Sequence, residues 1–151
     1  MKIEYVNDDL FNTTIDCIIH GCNAQGVMGA GVAKKIKQYY PEAYKKYREY
    51  YETYGLNVGD IVYTETNGKF IVNAITQENY GNDSQTRYVS YDAIDNIMWE
   101  LDSALSNAYP RITQVAMPMI GSGLANGSWR VIEAIIETRF RNIQPVVYYR
   151  M

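Results

Sequence analysis

The chain has 151 residues, 47% of them apolar and 21% charged. That balance suits one globular domain over residues 1–151, and it excludes a mainly disordered or membrane-spanning chain. The net charge of −3 argues against a nucleic-acid partner held by a broad basic surface, but not against a small anion held by backbone N–H groups.

Residues 3–6 alternate apolar and polar and predict a short strand. Residues 15–19 (IDCII) form a short apolar run, the pattern of a buried parallel strand. A glycine-bearing loop, residues 21–31, follows, and then a helix from Val32 to about Gln38. Pro41 opens a second helix that runs to about Tyr54 and stops at Gly55. Its tyrosines, Tyr44, Tyr47, Tyr50, Tyr51 and Tyr54, recur at helical spacing and read as packing rather than as a base-stacking platform. Residues 60–63 and 69–74 are strands joined by a hairpin-like turn at Asn67-Gly68. Residues 77–87 are polar and loop-like, and residues 88–107 carry one apolar stripe of a long helix. A strand at 113–117, a second glycine-bearing loop at 118–128, a helix at 129–140 and a strand at 145–149 complete the chain. Strands alternating with helices predict a three-layer α/β/α fold with a mixed, mostly parallel sheet of about six strands.

Both glycine loops lie between a strand and a helix. In open α/β sheets ligands sit outside the carboxyl ends of the strands. Bare N–H groups and a positive helix end meet there, which makes an anion site. The loops are Gly26-Val27-Met28-Gly29-Ala30-Gly31 and Ile120-Gly121-Ser122-Gly123-Leu124. Neither has the Walker ending or dinucleotide glycine spacing. Together they suit a diphosphate; alone, each also reads as ordinary turn glycine. His20, the single histidine, falls at the end of the second predicted strand and reads either as a proton-transfer group or as a core histidine. Asn23 offers a donor and an acceptor to a sugar hydroxyl, or shapes a turn. Asp9 accepts from an exocyclic amine, or caps a turn. Cys17 and Cys22 with one histidine make no zinc set, and no cofactor is expected. The opening MKIEYVNDDL carries acids where a secretory leader needs an apolar run, and the sparse cysteines suit a reducing compartment, so a cytoplasmic setting is expected.

Four segments, in order, resemble those of macro domains, the ADP-ribose-binding modules: Asp8-Asp9-Leu10-Phe11, Ile18-Ile19-His20-Gly21-Cys22-Asn23, Met28-Gly29-Ala30-Gly31-Val32-Ala33 and Met117-Pro118-Met119-Ile120-Gly121-Ser122-Gly123-Leu124. The His-bearing form and the stretch from Gln25 to Lys34 resemble the ADP-ribose-1″-phosphate phosphatase subgroup of bacteria and phages. The resemblance implies that Asp9 accepts from the adenine amino group and that Leu10 offers its N–H. It implies that Asn23 meets the distal ribose, that Gly29, Ala30, Gly31 and Val32 line the first loop, and that Gly121, Ser122, Gly123 and Leu124 wrap the diphosphate. Tyr149 on the last strand is placed near the adenine. His20 and Asn23 are the implied catalytic pair, His20 as acid or base in releasing the terminal phosphate of ADP-ribose 1″-phosphate. The alternatives are a non-catalytic ADP-ribose-binding module and a hydrolase that removes ADP-ribose from protein or nucleic acid. Macro domains of that last kind use a lysine after the Ile-Thr of the fourth strand. They also use an aspartate after Gly-x-Gly-Leu. Here Gln77 and Ala125 stand in those places, so a lysine-based covalent route is not expected.

Overall fold

A computed structural model describes residues 1–151. The chain runs β1 (Glu4–Asn7), β2 (Cys17–Asn23), α1 (Gly31–Tyr39), α2 (Pro41–Tyr54), β3 (Ile61–Thr66), β4 (Lys69–Gln77), α3 (Tyr91–Ala108), β5 (Gln114–Met117), α4 (Trp129–Arg139) and β6 (Gln144–Tyr149). A one-turn 3-10 helix, Leu10–Asn12, follows β1. The six strands form one sheet in the order β1-β6-β5-β2-β4-β3. Only β3 is antiparallel to its neighbour β4. The β3–β4 turn is tight, with Asn67 and Gly68 both at positive φ (52° and 75°), the geometry that an Asn-Gly pair accepts readily.

Successive strand residues point to opposite faces, and the core divides accordingly. Cys17, Ile19, Val72, Ala74, Val115 and Met117 pack beneath α3 and α4, against Ile94, Ile97, Leu101, Ile132 and Ile136. Ile18, Cys22, Ile71, Ile75 and Ala116 face the other way, towards Ile36 of α1 and Ala43 and Tyr47 of α2. The result is the predicted three-layer α/β/α arrangement with a mixed, mostly parallel sheet. No helix is long and apolar enough to cross a membrane.

The strand containing His20 is longer than its apolar run suggests. Pairing with β4 carries β2 through His20, Gly21, Cys22 and Asn23. A central strand is held by its neighbours on both sides, so polar residues in it do not end it. Likewise β4 continues to Gln77. The long helix α3 starts at Tyr91, not Tyr88, because Val89 bridges to Gln77 and the Ser90 side chain caps the helix through the Ala93 N–H.

The connections set the location of a site. From β5 the chain passes through α4 to β6 on one side, and from β2 it passes through α1 and α2 towards β3 on the other. The carboxyl ends of β2 and β5, which are adjacent and parallel, are therefore the switch point of the sheet. At that edge Gly21 is closely approached. A Cβ there would lie 2.7 Å from Thr76 Oγ1 and 3.3 Å from Ile120 Cγ1. Gly21→Ala should therefore cost about 1–3 kcal/mol through overpacking; urea denaturation gives the loss directly, and an unchanged midpoint would contradict the packing described.

Candidate functional site

Two loops leave the switch point, residues 24–30 after β2 and residues 118–128 after β5. Each is pinned by one apolar side chain on a different layer. Met28 is buried with Cys22, Ala24 and Tyr47 on the α2 side. Ile120 is buried with Val89, Ile94 and Ile132 on the α3/α4 side. Ile120 also lies against Gly21, so the second loop sits directly over β2.

Between their anchors the loops keep backbone donors free. The N–H groups of Met28, Gly29 and Ala30 have no acceptor within the chain. Those of Gly31, Val32 and Ala33 are the first turn of α1, which has none by geometry. No side chain caps α1 at Ala30 or α4 at Ser128. In the second loop Gly121, Gly123, Leu124 and Ala125 also have free N–H groups. Ser122 differs: its N–H and its hydroxyl both donate to the Met119 carbonyl, at 3.2 and 2.6 Å. Two sets of unpaired donors and an uncapped helix start are the groups that an anion would require, in a chain with net negative charge.

The first loop is shaped by Asn23 and α2. The Asn23 carboxamide accepts from the Gln25 N–H (2.9 Å) and donates to the Val27 carbonyl (2.8 Å). Buried Tyr47 donates to the Asn23 carbonyl at 2.6 Å and lies 3.0 Å from its side-chain oxygen. Arg48 donates to the Gly26 carbonyl at 3.0 Å, while ion-paired to Glu52. The amide expected at the distal ribose is thus engaged with its own loop, with one N–H left over. The sequence gives no signal for Tyr47, since it sits among other tyrosines at the same spacing.

His20 does not stand at the crevice as expected. It lies inside β2 on the α2 face, with no exposed surface. Its Nε2 is 2.6 Å from Asn73 Oδ1, and the other end of that carboxamide donates to the Ala43 carbonyl at 3.1 Å. This orientation makes Nε2 the protonated nitrogen. Both ring nitrogens lie 3.7–3.8 Å from Cys22 Sγ. Burial lowers the His20 pKa to about 4, although the Asn73 bond acts in the opposite direction. The same burial pushes the Cys22 thiol up. The pair is neutral near pH 7. His20 therefore lies within β2 rather than at its end: the strand runs on to Asn23, and its pleat turns the ring under α2.

At the far end of the sheet Asp9 caps the 3-10 turn through the Phe11 N–H (3.0 Å). Its second oxygen faces Lys35 and Arg150 at 3.9 and 3.8 Å and is half-buried. Leu10 is buried under α1, in the same apolar cluster as Ile18 and Ile36. Val32 and Tyr148 border that cluster. Tyr149 points to the opposite face, edge-on to Tyr5 at 6.1 Å. Tyr148, not Tyr149, is the aromatic ring on the Asp9–Leu10 side, because adjacent strand residues alternate. Gly29, Ala30, Gly31, Gly123 and Leu124 are exposed at the lips of the loops. A cavity of about 340 Å³ at the amino-terminal ends of the strands is lined by Asp16, Glu65, Lys69 and Arg111. There Lys69 is already held by the Thr13 and Ile15 carbonyls. No group of three or more His, Cys, Asp or Glu side chains could hold a metal ion.

Fold and site together define a three-layer α/β protein with a backbone-donor crevice at the switch point of its sheet. The macro domain family model matches residues 19–136, from β2 through α4 and across both loops, and the chain belongs to the macro domain family. It is 29% identical over 154 residues to an uncharacterized 17.5 kDa protein of the tk-vs intergenic region of Enterobacteria phage T4, covering 97% of this chain and 96% of that one. It is 25% identical to the DNA ADP-ribosyl glycohydrolase of Mycobacterium tuberculosis, covering 95% of this chain but only 40% of that protein's length. It is 24% identical to the ADP-ribose 1″-phosphate phosphatase of Meyerozyma guilliermondii, with 90% and 93% covered. Among solved structures, the macrodomain of Mycobacterium tuberculosis DarG superposes with a TM-score of 0.84 at 23% identity, over 99% of this chain and 98% of that one, which establishes the fold.

Two outcomes follow from this geometry. Tyr47→Phe leaves the Asn23 carbonyl without its donor and should cost about 1–2 kcal/mol of stability, read by thermal unfolding. For His20, the unfolded chain takes up a proton below pH 6.5 that the folded chain refuses until about pH 4. Stability should therefore fall through that window by roughly 3 kcal/mol and level off beneath it. His20→Gln should flatten this segment of the pH–stability curve; an unchanged slope would place the titration elsewhere.

Proposed function

We propose that the protein binds ADP-ribose in the crevice and hydrolyses the bond between the distal ribose and its substituent. The observation that carries this reading is the set of unpaired N–H groups in the two loops. A diphosphate brings oxygens with negative charge and no donors, matching loops whose free groups are main-chain donors. The adenine end then lies towards Asp9 and the Leu10 N–H, with Tyr148 at hand. The distal ribose lies past β2, towards β4.

ADP-ribose 1″-phosphate is the first candidate substrate, supported by similarity to yeast ADP-ribose 1″-phosphate phosphatases over nearly the full chain. Loop N–H groups would stabilise charge on its phosphoryl oxygens. The release of ADP-ribose from a macromolecule is the second reading. The side chains at the distal end favour it. Asn23, Gln25, Glu78 and Asn79 gather there, and Arg48 nearby is committed to Glu52 and Gly26. Neutral amides and a carboxylate are poor company for a terminal phosphate dianion. Similarity to DNA ADP-ribosyl glycohydrolases is of the same order as that to the phosphatases.

Titration calorimetry with ADP-ribose should give saturable binding at one site per chain. A Cβ at Gly123 would meet nothing within 4 Å. Gly123→Glu should therefore leave thermal stability unchanged while weakening ADP-ribose binding at least tenfold, because it places a carboxylate beside the diphosphate. Equal binding by the variant would remove the second loop from the site. Phosphate release from ADP-ribose 1″-phosphate, measured beside ADP-ribose release from an ADP-ribosylated oligonucleotide, separates the two substrate classes.

A further inference from the structure

The polar segment from Gln77 to Ser90 fastens the two loops to each other. At its start the carbonyls of Gln77 and Glu78 accept from the Ala24 N–H, at 2.9 and 3.2 Å. The Gln25 amide donates to the Glu78 carbonyl at 3.1 Å, and its nitrogen lies 3.3 Å from both Glu78 Oε1 and Asn79 Oδ1. At its end the Tyr88 and Val89 N–H groups donate to the Ala125 carbonyl, at 2.8 and 3.2 Å. The Asn126 amide donates to the Asp83 and Thr86 carbonyls, at 2.9 and 2.7 Å. One segment thus closes the crevice at the β4 end and is bolted to both walls.

Position along the sheet gives this end its chemistry. From the exit of β1, where Asp9 sits, to the exit of β4 there are four strand spacings, about 19 Å in all. The donor loops leave the strands in between, β5 and β2. Glu78 follows β4 directly, one spacing, about 5 Å, beyond the first loop. No other carboxylate side chain hydrogen-bonds to either loop. His20, the proton-transfer candidate that the sequence offers, is sealed under α2.

We propose that Glu78 is the catalytic carboxylate of this site, held by Gln25 and serving as general base towards the distal ribose. This rests on the reading that ADP-ribose lies with its adenine end at Asp9. A water oxygen forms a bond to C1″ as the bond from C1″ to its substituent breaks. The electron pair of that bond leaves with the substituent, which takes a proton from solvent. Glu78 accepts one proton from the attacking water. The products are free ADP-ribose and the protonated substituent. A carboxylate also favours the positive charge that develops at a sugar C1″, and it repels a phosphate dianion there, so the linkage cleaved is an uncharged glycosidic one.

The test compares the full chain with Glu78→Gln and Glu78→Asp on the 4-nitrophenyl glycoside of ADP-ribose, whose leaving group needs no protein acid, and on ADP-ribose 1″-phosphate. The wild type should cleave the glycoside faster than the phosphate. Glu78→Gln should lower kcat on the glycoside at least ~100-fold, keep ADP-ribose affinity within about twofold by calorimetry, and lose the acid limb of the kcat–pH profile. Glu78→Asp should recover part of kcat and the acid limb. A variant Glu78→Gln with wild-type kcat, or one that keeps the acid limb, overturns the assignment and leaves hydrolysis standing. A wild type that binds ADP-ribose but cleaves neither compound overturns it as well, and leaves a binding module. Failure to bind ADP-ribose at all would instead remove the reading on which it rests.

Discussion

The crevice depends on keeping ten backbone donors of two neighbouring loops from pairing with the chain itself. Loops left alone close such groups into turns. Here each loop is held open by an apolar anchor on a different layer, Met28 on the α2 side and Ile120 on the α3/α4 side. The anchors pull apart because the chain leaves β2 and β5 in opposite directions. Gly21 lets Ile120 settle on β2 without a Cβ in the way. The site is therefore a property of topology plus two buried side chains, and its donors belong to the main chain.

Main-chain donors let a protein of charge −3 present a crevice suited to an anion without a basic face. Polar side chains nearby shape the loops that carry these donors. Asn23, Tyr47 and Arg48 hold the first loop in shape, Asn126 holds the second to the segment before α3, and His20 with Asn73 ties β2 to β4 and, through Ala43, to α2. Removing one of these acts on the donors through the loop. Preorganised donors of this kind need no rearrangement when charge arrives.

Much of the architecture was readable from the chain. The alternation of apolar runs and helical stripes predicted three layers and a mixed sheet, and Asn67-Gly68 marked the one antiparallel turn. The two glycine loops were found at the right strand exits. Local pattern is overridden where tertiary pairing decides the structure. The apolar run of β2 stops at Ile19, so His20 looked like a strand-end residue, yet pairing to β4 extends the strand to Asn23 and the pleat buries the ring. The resemblance implies Tyr149 near the adenine; the register of β6, which no local pattern fixes, turns Tyr149 towards Tyr5 and Tyr148 towards the Leu10 cluster. The donor and acceptor of Asn23 are visible in sequence, whereas its partners in the fold, the Val27 carbonyl, the Gln25 N–H and the Tyr47 hydroxyl, are not. The loop-bridging role of residues 77–90 depends on contacts with residues 24–25 and 125–126, separations that no local pattern encodes.

Amide chemical shifts followed during titration with ADP-ribose test the central claim most directly, because they report the N–H groups themselves. Saturable shifts largest at Gly29, Ala30, Gly31, Gly121, Gly123 and Leu124 are the result this account requires. Shifts confined to the other end of the strands, around Lys69 and Arg111, with the two loops silent, would contradict it.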